Sequence, residues 1–122
     1  EVKGREIAGP AVAMGAARFS FSDLCEKPLG ARDYLAIARN YHTVFVERVP
    51  VLHENRRNEA KRFVTFIDAL YEHRSKFVCS ADAPAPALYP AGDGSFEFER
   101  TVSRLIEMQS EDYFGLEHDG NG

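Results

Sequence analysis

Arg100 and Arg104 stand four residues apart in the run FEFERTVSRLIEMQS, Phe96 to Ser110. If that run is helical they lie one turn apart on a shared face. Two guanidiniums fixed on one face can hold a phosphate or a carboxylate bidentately, because their planar donors match those oxygens better than an ammonium does. A plainer reading competes with this one. Glu97, Arg100, Arg104, Glu107 and Glu111 follow i, i+3, i+7, i+10 and i+14 spacing, the pattern of a solvated stripe of alternating charge, and spacing alone favours the stripe.

Other chemistries find less support. No glycine is followed by the Lys-Ser or Lys-Thr of a phosphate-cradling loop. Without such a loop, Glu47, the acid that ends Val44-Phe45-Val46, reads as a turn or edge residue rather than as a magnesium holder. His42, His53, His73 and His118 lack ligand spacing, and no serine sits in a Gly-x-Ser-x-Gly elbow. Asp23 and Asp33 are one carboxylate pair among the many that nineteen acids allow. Asp68 differs, because it borders the apolar stripe of a helix; if covered it needs a partner such as Arg32, Arg62 or Arg104.

The elements that position these residues can be read from periodicity. A weak strand over Glu1 to Ile7, a turn at Gly9-Pro10 and a better strand over Val12 to Phe21, ending in the alternation Ala17, Phe19, Phe21, open the chain. Ser22-Asp23 starts a short helical turn that Pro28 and Gly30 stop. Tyr34, Ile37, Ala38 and Tyr41 form one face of a helix over Arg32 to Asn40. Thr43 to Val49 is β-branched and aromatic up to Pro50, which predicts a strand. His53 to His73 is the clearest helix, with Ala60, Phe63, Phe66, Ile67, Leu70 and Tyr71 as its stripe, and Lys76 to Ser80 is a second strand.

Strand, helix, strand predicts a right-handed crossover between parallel neighbours. Ala81 to Gly94 reads as a loop with one turn around Ala85 to Tyr89. Phe96 to Tyr113 is the closing helix, with Phe98, Val102, Leu105, Ile106 and Gln109 at helical spacing; alternatively Phe96 to Phe98 is extended and Thr101 caps a shorter helix. The expected fold is α/β: a small sheet centred on the parallel pair Thr43 to Val49 and Lys76 to Ser80, an antiparallel N-terminal edge, and flanking helices. One domain over residues 1–116 and a flexible tail over residues 117–122 follow.

Composition narrows the function. With 122 residues, 44% of them hydrophobic, the chain can bury a real core. A net charge of −4 gives no global attraction to nucleic acid or to an anionic membrane. The basic cluster Arg56, Arg57, Lys61 and Arg62 is interrupted by Glu54 and Glu59 and reads as helix surface. No apolar stretch is long enough to insert in a bilayer. Cys25 and Cys79 are too far apart for a CxxC site; Cys79, within Phe77-Val78-Cys79, reads as a buried small hydrophobe, and a reducing compartment is the default.

Four blocks together resemble a known family. They are Phe21-Ser22-Asp23-Leu24-Cys25 with Pro28-Leu29-Gly30-Ala31-Arg32-Asp33-Tyr34-Leu35; His42-Thr43-Val44-Phe45-Val46 with Val49-Pro50; Glu59-Ala60-Lys61-Arg62-Phe63-Val64 with Ile67-Asp68-Ala69-Leu70-Tyr71; and Phe98 to Met108. In order and spacing they look like the C-terminal part of the ZapE-type ATPases, whose mitochondrial relatives are the Afg-one-like, or lactation-elevated, ATPases. The resemblance runs from about Arg18 to Tyr113.

The resemblance implies a parent that is a AAA+-type P-loop ATPase using ATP and Mg. It also implies a homo-oligomeric, cytoplasmic protein in bacteria, associated there with the tubulin-like division protein. The family's Walker motifs and first-sensor strand lie upstream of these blocks and are absent here, and the chain begins at Glu1 rather than Met, as an excised piece would. The expectation is therefore a fragment without cofactor and without ATPase activity of its own, whose partner is the upstream nucleotide-binding domain. By the same analogy Arg104, with Arg100 second, takes the catalytic role of a late-helix arginine that senses the γ-phosphate. The alternative is an interaction or oligomerisation module with no contact to nucleotide, anchored by Tyr34, Tyr41, Tyr89, Phe96 and Phe98.

Overall fold

Ser20 ends a strand and starts a helix. Its hydroxyl oxygen accepts the Asp23 backbone N–H at 3.1 Å, satisfying one of the free donors of the first helical turn. In a computed structural model, which describes residues 11–13, 15–89, 95–110, 113 and 115, strands β1 (Ala11–Ala13) and β2 (Ala16–Ser20) precede this cap, and α1 (Phe21–Cys25) follows it. Gly15 turns the chain between the strands at φ +83°; a Cβ there would meet the His42 ring at 2.7 Å. Then come α2 (Ala31–Asn40), β3 (Thr43–Val49), a 3₁₀ turn (Glu54–Arg56) and α3 (Arg57–Glu72). They are followed by β4 (Lys76–Ala81), a second 3₁₀ turn (Ala85–Ala87) and α4 (Ser95–Glu107). Asp33 accepts the Gly30 N–H at 2.9 Å and so closes the entrance of α2.

The sheet runs β1-β2-β3-β4, with β1 antiparallel to β2 and the other two pairings parallel. The expected parallel pair is therefore part of a parallel triplet, with β3 in the middle and β4 at one side. Both crossovers, β2 through α1 and α2 to β3 and β3 through α3 to β4, advance across the sheet in the same direction. Crossovers of one hand then place their helices on one face. The rings agree: Phe63 of α3 lies 6.1 Å from Phe21, 6.4 Å from Phe77 and 6.2 Å from Phe98, while Tyr34 of α2 lies 5.6 Å from Phe66. Ala17, Phe19, Val44, Val46 and Phe77 face these helices and are buried. On the opposite face Arg18, Phe45 and Val78 are register partners in one row; Arg18 is exposed, Phe45 half-buried and Val78 45% exposed.

A bulge lets β3 change phase. Strict alternation after Val44 and Val46 would turn Arg48 inward. Instead the register shifts between Val46 and Val49, Arg48 takes φ +63°, and Val49 becomes fully buried. The Arg48 N–H donates to the Ser80 hydroxyl at 2.9 Å across to β4.

Several sequence expectations need correction. The strand expected over Val12 to Phe21 is two, β1 and β2, folded back at Gly15, and Phe21 is the first residue of α1, not the last of a strand. The long helix begins at Arg57, after the 3₁₀ turn. Cys79 is exposed rather than buried, on the strand at the side of the described sheet. Ile106 is 55% exposed, since the buried positions of α4 are Phe98, Thr101 and Leu105, continued by Met108. Thr101 lies inside that helix and caps nothing. The strand expected over residues 1–7 and the tail over residues 117–122 fall outside the described residues.

Candidate functional site

The apolar positions of α4 (Phe98, Thr101, Leu105) recur at steps of three and four, so they fix which way the helix faces α3. That orientation carries Arg100 and Arg104 to the α3 side. There Asp68 and Tyr71, three residues apart on α3, meet them. Arg104 donates from Nη1 to Asp68 Oδ1 in a short contact, and Arg100 donates from Nη2 to Oδ2 at 3.3 Å. Asp68 thus receives both guanidiniums, one on each oxygen. Its side chain is 29% exposed, that of Arg104 26%, and that of Arg100 56%. The expected partner of Asp68 is therefore Arg104, joined by Arg100. Arg62 instead donates to the Cys25 carbonyl at 2.8 Å.

Tyr71 extends the cluster. The Arg104 guanidinium lies 4.7 Å from the centre of its ring, a cation–π contact. The Tyr71 hydroxyl donates to Glu107 Oε1 at 2.9 Å, and that bond, ahead of desolvation, raises the phenol above its ordinary pKa. On its other side Tyr71 stacks on Tyr113, with ring centres 6.1 Å apart. Glu107 is thus engaged by Tyr71 rather than only solvated, and the charged face of α4 is tied to α3.

A cleft of about 260 Å³ opens beside this cluster, between α3 and α4. Arg57, Lys61 and Arg100 line it together with Asp68 and Glu97. Three cations against two carboxylates leave it weakly cationic. Arg100 lines this cleft; Arg104, over the Tyr71 ring, is joined to it only through Asp68. Among the described residues no group of three or more His, Cys, Asp or Glu side chains could hold a metal ion.

The arrangement gathers both residues singled out by spacing, Arg100 and Arg104, and adds Asp68. It also adds Arg57 and Lys61, which read as plain surface in the sequence, and Tyr71, which read only as part of an apolar stripe. Asp68 and Tyr71, three apart on α3, share one helix face as Arg100 and Arg104, four apart on α4, do, and that was the available signal. Of the aromatics considered as interface anchors, Tyr34, Tyr41, Tyr89 and Phe98 are core residues. The side chain of Phe96 lies outside the described ones.

Comparison with known proteins decides the family. The model of the AFG1-like ATPases matches residues 1–117. The chain belongs to the AFG1-like ATPase family. It is 39% identical to the cell division protein ZapE of Escherichia coli K12, over 97% of this chain and 32% of that protein. It is 36% identical to lactation elevated protein 1 homolog B of Danio rerio, over 93% of this chain and 29% of that protein. The chain thus spans about a third of the length of these curated relatives. No solved structure matches it. No helix among the described residues is long and apolar enough to cross a membrane.

Proposed function

We propose that this AFG1-like chain is the C-terminal part of a ZapE-like, AAA+-type ATPase and supplies Arg104 and Arg100 to a nucleotide site whose phosphate loop lies in an upstream domain. What supports this reading is the convergence of the two guanidiniums on Asp68 at the rim of a cationic cleft. Asp68 and the Tyr71 ring hold Arg104 in one orientation, so its charge is aimed in advance. A guanidinium so held stabilises negative charge that builds in phosphoryl transfer without having to reorganise first. ATP and Mg belong to the upstream domain in this reading, and the 122 residues alone are inactive. The same proposal carries a cytoplasmic setting, a homo-oligomeric parent, and the tubulin-like division protein as a partner in cell division.

The test is Arg104→Ala in the full-length ATPase. Turnover is expected to fall by about 10²-fold or more, with nucleotide affinity changed far less. Unchanged turnover would refute the role and leave the arginines as a structural ion pair. Arg104→Lys distinguishes planar recognition from charge alone, and is expected to recover little activity.

A further inference from the structure

Asp68 and Arg104 are 29% and 26% exposed, so water competes for their ion pair. The contact from Nη1 to Oδ1 ties the guanidinium at one end and leaves it free to pivot; the ring of Tyr71 beneath it sets its plane. Tyr71 is in turn held by two groups besides Arg104. Glu107, three residues after Arg104 on α4, accepts its hydroxyl at 2.9 Å, and the ring of Tyr113 stacks on it with the two planes 14° apart. Tyr113 is the best anchored member of this group. Beyond the end of α4 the Ser110 hydroxyl accepts the Tyr113 N–H at 3.1 Å, in a turn that returns the chain to the end of α3. There Tyr113 is 3% exposed, and its hydroxyl donates to the Ser75 carbonyl at 2.9 Å, with the Leu70 carbonyl at 3.4 Å. Lys76, the first residue of β4, sets its Nζ 5.4 Å from the centre of the same ring. The junction of α3 and β4 thus grips Tyr113, Tyr113 supports Tyr71, and Tyr71 carries Arg104.

We propose that Tyr113 is a positioning residue for Arg104: by stacking on Tyr71 it fixes the ring against which the guanidinium lies, and so the direction in which Arg104 presents its charge. A cation over a ring is held most strongly at the ring face, so a ring free to tilt would carry the guanidinium with it. Packed aromatic pairs resist that motion, because tilting one ring opens a gap against the other. The effect on turnover rests on the role proposed above for Arg104; the orientation itself is a property of the folded protein and is measured without catalysis.

The experiment uses the full-length protein with Tyr113→Leu, which removes the ring, and Tyr113→Phe, which keeps it. Tyr113→Met repeats the removal should the leucine variant fail to fold. The first readout is the Arg104 Nε–Hε resonance in a heteronuclear NMR spectrum, identified by its loss in Arg104→Lys. The ring current of Tyr71 is expected to displace it upfield; Tyr113→Leu is expected to abolish most of that displacement, and Tyr113→Phe to retain it. The second readout is ATP turnover. In Tyr113→Leu kcat is expected to fall about tenfold with KM little changed, and Tyr113→Phe to restore it. A resonance unmoved by removal of the ring would overturn the inference, because a merely structural Tyr113 lowers the unfolding midpoint and leaves Arg104 of the folded protein in place. Tyr113→Phe shifting the resonance as far as Tyr113→Leu does would overturn it equally, since the ring would then not be what matters. A resonance that moves, beside unchanged turnover in Arg104→Ala, would uphold Tyr113 as the residue that orients Arg104 and refute the nucleotide role instead.

Discussion

Asp68 shows how one carboxylate can organise two cations. With its side chain 29% exposed, the pairing is partly screened, and Asp68→Ala is expected to cost about 1 kcal/mol. Thermal unfolding measures it, and an unchanged midpoint would mean that the ion pairs add nothing. The two cysteines separate more sharply. Cys25 is buried, and desolvation pushes its thiol well above the usual range; Cys79 is exposed, with a smaller rise from the same cause. One thiol, Cys79, is expected to react with a disulfide reagent in the native protein, and the second only on unfolding. Because the folded state holds the Cys25 proton more tightly, its contribution to stability is complete below about pH 8.5, where an unfolded thiol begins to ionise, and declines as pH rises above that. Removing the thiol by Cys25→Ala should flatten the alkaline fall in the unfolding midpoint. At this scale the sequence was half legible: the arginine spacing was visible, but its capture by Asp68 joined residues over thirty positions apart.

The helices and β3 were readable because each carries its own periodicity. The stripe of α3 is buried from Ala60 to Leu70 nearly as written, and β3 occupies Thr43–Val49 as its β-branched run predicts. Phe21 and Cys79 were misread for one reason. Alternation and apolarity report what a residue prefers, while a cap at Ser20 and a strand's place at the side of a sheet are facts about its neighbours. The bulge in β3 has no sequence signal either, since Arg48 in the left-handed region is held there by the burial of Val49. L-residues lose about 1–2 kcal/mol in that region. Arg48→Gly is therefore expected to raise stability by up to about 1 kcal/mol in a denaturant titration, and Arg48→Val to lower it.

For the whole molecule, Phe63 is the point where the layers meet. Its ring neighbours rings from α1, β4 and α4 as well as Phe66 of its own helix, so Phe63→Ala removes contacts with three other elements at once. A loss of about 3–5 kcal/mol is expected by chemical denaturation. A loss below about 1 kcal/mol would show that the surrounding rings collapse into the space. The α/β class and the parallel core followed from the strand-helix-strand order, whereas the third parallel strand did not, because β2 is only five residues long and its pairing with β3 spans two short helices.

The order β1-β2-β3-β4 has one more consequence, for biosynthesis. Every described strand docks beside the one made just before it, so none of these pairings has to wait for a distant part of the chain to leave the ribosome. The β1-β2 hairpin closes over the shortest loop and each parallel pairing waits for its own crossover helix, so the sheet is expected to grow strand by strand from that hairpin.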